Sequence, residues 1–120
     1  MSKDWLPGLM KEWALWWESE NAYSDSTTIW RAIMAPTQSG FGPALPKGVE
    51  PPPDLRKLVL AMGDLLTDGS CGEDVAYTRA FYVLGIKNVM AHDETKISTA
   101  SVYQRVERGQ SAIRGYMRAL

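Results

Sequence analysis

Cysteine and histidine are almost missing from this chain of 120 residues, which has one of each, Cys71 and His92. One cysteine excludes a disulfide within the chain and fits a reducing compartment. The pair cannot supply the four ligands of a structural zinc site. No apolar run approaches the ~20 residues that a membrane-spanning helix needs. The start, Met1-Ser2-Lys3-Asp4-Trp5, lacks the apolar stretch of a signal peptide, so the expected location is the cytoplasm. Catalytic signatures are missing too: there is no Walker loop, GxSxG, HExxH or dinucleotide fingerprint. Gly40-Phe41-Gly42 is too short and too proline-flanked to cradle phosphate. The carboxylate pairs Glu18/Glu20 and Asp64/Asp68 read as solvated charges. Cys71 sits in a glycine turn with no base beside it to activate a thiolate. Neither an enzyme nor a cofactor is expected.

What is present is helical periodicity. Leu6, Leu9, Met10, Trp13, Trp16 and Trp17 recur at three- and four-residue spacing, which predicts an amphipathic helix over about 3–20. The cluster Trp13, Trp16, Trp17 reads either as core or as a partner-binding face, since tryptophan is a favoured interface anchor. A break at 21–25 precedes a second helix, capped by Ser24 or Asp25, with Ile29, Trp30, Ile33 and Met34 inward. Six of the seven prolines fall in residues 36–53, interleaved with Gly40, Gly42 and Gly48. Proline fixes φ and lacks an amide donor, so this segment is read as an extended loop. Asp54 then reads as an N-cap for a helix with Leu55, Leu58, Val59, Met62, Leu65 and Leu66 inward. A turn at 68–72 leads to a helix over about 73–84, with Val75, Ala76, Ala80, Phe81 and Val83 or Leu84 inward. Gly85 is placed at its end, where positive φ is needed.

These elements predict an all-α fold: a small helical domain with a Pro/Gly-rich central loop and a C-terminal helix-turn-helix. Residues 1–35 form a Trp-rich helical segment, 36–53 the loop, and 54–120 a helical domain with the helix-turn-helix at about 86–110. A short helix at 87–92 offers Ala91 as the small packing residue. Ile97 enters the next helix, Ser98 caps it, and Val102 and Val106 turn inward. Charge is asymmetric: residues 1–83 carry seven Lys/Arg and eleven Asp/Glu, residues 84–120 six and three. The last third, at +3, is the part suited to phosphate. On the outer face of the final helix, Ser98, Thr99 and Ser101 are short enough for close approach to a groove. Gln104 and Arg105 have the donors and reach for base edges, while Arg108, Lys96 and Lys87 suit the backbone.

The runs Phe81-Tyr82-Val83-Leu84-Gly85-Ile86-Lys87 and Ile97-Ser98-Thr99-Ala100-Ser101-Val102-Tyr103-Gln104-Arg105-Val106 resemble DNA-binding region four of sigma factors. With Trp13, Trp16, Trp17 and the Pro/Gly-rich stretch, the whole chain resembles the phage antitermination protein Q family. Its turn His92-Asp93-Glu94-Thr95-Lys96 departs from the sigma pattern: it lacks the usual glycine, is about one residue longer and is acidic. The resemblance implies binding to double-stranded DNA near a late promoter and loading onto bacterial RNA polymerase, in the cytoplasm of a bacterial host, to suppress pausing and termination. Two other readings are a stand-alone helix-turn-helix repressor or activator, and a helical protein-protein adaptor gripping its partner through the tryptophan helix.

Overall fold

The computed structural model describes residues 5–20, Trp30, Ile33, Met34 and 53–119. The expected break at 21–25, its caps Ser24 and Asp25, Ile29, and loop residues 36–52 lie outside the described residues. Among those described, five helices and no strand are found, so the fold is all-α. The helices are α1 (Leu6–Glu20), α2 (Pro53–Leu66), α3 (Gly72–Leu84), α4 (Ile86–His92) and α5 (Thr99–Ala119). None is long and apolar enough to cross a membrane.

Each helix buries the stripe its spacing dictates. On α1, Leu6, Met10, Trp13, Ala14 and Trp17 are buried. Trp13 and Trp17 are only 2% and 1% exposed. This corrects the reading of Trp13, Trp16 and Trp17 as a partner-binding face: two of them share the buried face and pack on α2 and α3, and Trp16 lies half-buried at its edge. All six apolar residues expected inward on α2 are buried. Pro53 is the first residue of that helix rather than the end of the loop, a position where a missing amide is harmless. Asp54 therefore lies in the first helical turn, not at the cap.

Helix α3 is the centre of the fold. Val75, Ala76, Tyr77, Thr78, Arg79 and Ala80 are all buried, so nearly its whole circumference is covered. Phe81, Val83 and Leu84, expected inward, are only half-buried as the helix emerges from the core. Gly85 ends it at φ +83°, ψ 159°, a region open essentially only to glycine. Its amide donates to the Phe81 carbonyl at 3.0 Å.

Among the described helices, α5 and α3 form the most extensive pairing. The crossing point is Gly109: a Cβ there would lie 2.5 Å from the Asp74 carbonyl oxygen and would also strike the Thr78 hydroxyl. Bare backbone lets the two axes approach. The Thr78 hydroxyl bonds the Asp74 carbonyl at 2.8 Å and the Val106 carbonyl of α5 at 3.3 Å. Val102, Val106 and Ile113 line the buried side of α5.

The short helix α4 packs on α3 more than on α5. Its buried residue is Val89, while Ala91, expected to pack against the final helix, is exposed. Two residues along a helix is about 200° of rotation, so Val89 and Ala91 cannot share a face.

Among the described residues, Arg79 is the one large charged side chain in the core, 1% exposed. Its guanidinium lies 5.6 Å from the Trp13 ring centre, and Nη1 donates to the Ile33 carbonyl at 3.3 Å. Nε has no partner. Burial pushes its pKa down to about 10.

Candidate nucleic-acid interface

Ser98 stands immediately before α5, and its hydroxyl accepts the Ser101 amide at 3.1 Å, as expected of an N-cap. A further bond runs between the two hydroxyls at 3.0 Å. Ile97 is half-buried against the core beside this cap. From there the outer face of α5 presents Thr99, Ala100, Tyr103, Gln104, Glu107 and Arg108, all exposed, with Ser101 half-buried. Gln104 and Arg108 lie one turn apart on one side of a shallow depression completed by Glu107 and Ser111. Tyr103 meets the Phe81 ring edge-on, with centroids 5.6 Å apart. Lys87, at the start of α4, and Lys96, in the turn, are exposed as well.

The turn is held by a buried polar cluster. The Asp93 carboxylate is 3% exposed. Oδ1 accepts the Thr95 amide at 2.9 Å and the Thr95 hydroxyl at 2.6 Å. Oδ2 accepts the Tyr77 hydroxyl of α3 at 2.9 Å. Burial is the main cause that pushes the Tyr77 pKa up. Trp30 closes the cluster, edge-on to Tyr77 and stacked on His92 at 6.0 Å. His92 is thus half-buried. The turn has no glycine, and Lys96 takes the positive φ of 57° instead. For an L-residue that conformation costs roughly 1–2 kcal/mol.

Neither arginine of the expected interface stands alone. Arg105 is ion-paired with Glu73 and lies over the Tyr77 ring at 4.9 Å, with its side chain 23% exposed. It reaches across α3 instead of outward, so the first choice for reading base edges is the less accessible of the two. Arg108, with a 60% exposed side chain, donates from Nε and Nη2 to the two carboxylate oxygens of Asp74, at 3.2 and 3.3 Å. Those hydrogen bonds, and then the carboxylate charge, hold its pKa above the ordinary value. Cys71 is unlike a reactive thiol, because burial and the Asp68 charge push its pKa up.

No family model, characterised protein or solved structure matches this chain.

The sequence signal for the Asp93 cluster was available: Asp-x-Thr is a common side-chain turn pattern. No local signal marks the Glu73–Arg105 and Asp74–Arg108 pairs, because each joins residues more than thirty apart. Only the crossing of α3 and α5 brings them together.

Proposed function

We propose that this chain is a transcription regulator that binds duplex DNA through α5, and that it works as a phage antitermination factor of the Q class. The observation that carries the DNA reading is the outer face of the first turns of α5. There, Gln104 and Arg108 are exposed one turn apart on a helix whose start, at Thr99, is free of acidic side chains. A helix N-terminus favours phosphate, and short residues there permit close approach to a groove. Lys87 and Lys96, exposed on the preceding helix and turn, are suited to the DNA backbone. Arg105 is assigned to holding α5 on α3 as much as to contacting DNA.

The antitermination role rests on the resemblance of residues 81–106 and of the tryptophan-rich first helix to the Q family. In that role the chain binds DNA near a late promoter and loads onto bacterial RNA polymerase. The test is retention of the protein on immobilised RNA polymerase core and holoenzyme, with and without late-promoter DNA from the same genome. Retention that DNA strengthens, and that Lys87→Glu with Gln104→Glu weakens, supports the role. DNA binding without retention on polymerase leaves a stand-alone regulator. Retention on neither leaves an adaptor between proteins.

A further inference from the structure

The two arginine pairs on α5 look alike in sequence but are opposite in exposure. In Glu73–Arg105 the arginine is the covered end, at 23% exposure against 65% for the acid. In Asp74–Arg108 the acid is covered, at 16%, and the arginine is offered, at 60%. Asp74 is also fixed at its backbone. Its carbonyl accepts the Thr78 hydroxyl at 2.8 Å and lies against Gly109, where α3 and α5 cross. Arg108 is therefore held by a largely covered carboxylate on a fixed backbone.

A guanidinium has five N–H donors in a plane. Asp74 takes the side-on pair, one from Nε and one from Nη2. The remaining donors are both N–H groups of Nη1 and the outer one of Nη2. One N–H of Nη1 and the outer one of Nη2 form an end-on fork of two parallel donors. That fork matches O6 and N7 of guanine in the major groove. A lone flexible arginine would have to order several rotors to present it, and Asp74 has already ordered them. Gln104, exposed one turn earlier on the same side, lines the same depression as Arg108.

We propose that Asp74 is a positioning residue that aims Arg108 end-on at a guanine, making Arg108 the specificity-determining arginine of α5. The inference rests on the DNA-binding reading above. It moves base recognition from Arg105 to Arg108 and makes an acidic residue of α3 part of the binding machinery.

The experiment starts with selection of duplexes from a random 30-base-pair pool on the wild-type protein. The selected duplex is then resynthesised with 7-deazaguanine replacing one guanine at a time, which removes N7 and leaves base pairing intact. Affinity is read by fluorescence anisotropy at fixed salt. The wild type is expected to lose about 10-fold at one guanine, as befits one bidentate contact. Arg108→Ala and Asp74→Asn are expected to bind the guanine and deazaguanine duplexes alike. Asp74→Asn should bind the unselected pool at least as well as wild type, because it removes a negative charge; a merely unfolded variant would not. Arg108→Lys keeps the charge without the fork. It guards against misfolding of the Asp74 variant and should also lose discrimination while keeping affinity for the pool. Wild-type indifference to every deazaguanine, or full discrimination retained by Asp74→Asn, overturns the proposal while leaving DNA binding intact. Failure to bind any duplex overturns the DNA-binding reading itself.

Discussion

Gly109 and Gly115 lie on the same helix and invite the same substitution, alanine, with opposite expected results. Helix propensity alone favours alanine over glycine by about 1 kcal/mol at either site. At Gly115 nothing lies within 4 Å of the added Cβ, so the propensity gain should appear, reduced because the site is near the helix end. At Gly109 the Cβ would lie 2.5 Å from a backbone carbonyl oxygen of α3 and would collide with the Thr78 hydroxyl. Backbone cannot rotate aside, so α5 must lift by roughly 1 Å at its tightest contact. Overpacking of this kind costs about 1–3 kcal/mol. Lifting also breaks the Thr78–Val106 bond, which contributes about 1 kcal/mol. After the propensity gain, Gly109→Ala should lose about 1–3 kcal/mol and roughly 5–15 °C in Tm. Gly115→Ala should gain up to about 1 kcal/mol. Urea unfolding followed by far-ultraviolet circular dichroism measures both. A stabilised Gly109→Ala protein would show that α3 and α5 do not cross at this glycine, and would remove the basis for the Asp74–Arg108 geometry.

Further outcomes are expected at three residues, Arg79, Tyr77 and Lys96. Arg79→Met, which keeps the volume and removes a poorly satisfied buried cation, should lie within about 1 kcal/mol of wild type. Arg79→Ala should lose about 3 kcal/mol through the cavity beneath Trp13. Because the folded-state pKa of Arg79 is depressed to about 10, the folded state releases its proton first. Wild-type stability should therefore rise relative to Arg79→Met as pH climbs from about 10 towards the unfolded value, which denaturation at several alkaline pH values will show. Tyr77→Phe strips the donor from Asp93 Oδ2 and should cost about 1–3 kcal/mol in a urea titration, with an unchanged outcome arguing against a buried clamp. Lys96→Gly relieves the positive φ at the cost of greater unfolded-chain entropy, for a net gain of up to about 1 kcal/mol. The same variant should bind DNA more weakly, with a salt slope lower by about one, if Lys96 meets a phosphate. Loss of stability, or unchanged binding, would contradict one half of that statement each.

Much of this fold was legible because local rules and the core agree. The stripes of α1, α2 and α5 follow the 3.6-residue period, and the buried set Leu55, Leu58, Val59, Met62, Leu65 and Leu66 falls where the period puts it. Gly85 and Ser98 were legible because each meets a local backbone need. Ala91 misled because smallness alone does not say which way a residue faces; on a helix of seven residues Val89 took the single buried position. The tryptophans carried two readings, and burial of Trp13 and Trp17 decided for core. Gly109 and the partners of Arg105 and Arg108 were hidden for a different reason. They exist only where two distant helices cross, and no window along the chain contains both sides. The likeness of two arginines three residues apart concealed that one is folded across α3 and the other displayed.

The central claim is that the exposed face of α5 binds duplex DNA. Its most direct test is anisotropy titration of a labelled duplex, enriched from a random pool, at about 50 mM and 200 mM salt, with wild type and Gln104→Ala/Arg108→Ala compared. The expected result is saturable wild-type binding that weakens with salt and falls at least 10-fold in the double variant, whose melting curve stays near wild type. Equal binding by the two proteins, or no binding by either at the lower salt, would contradict the claim.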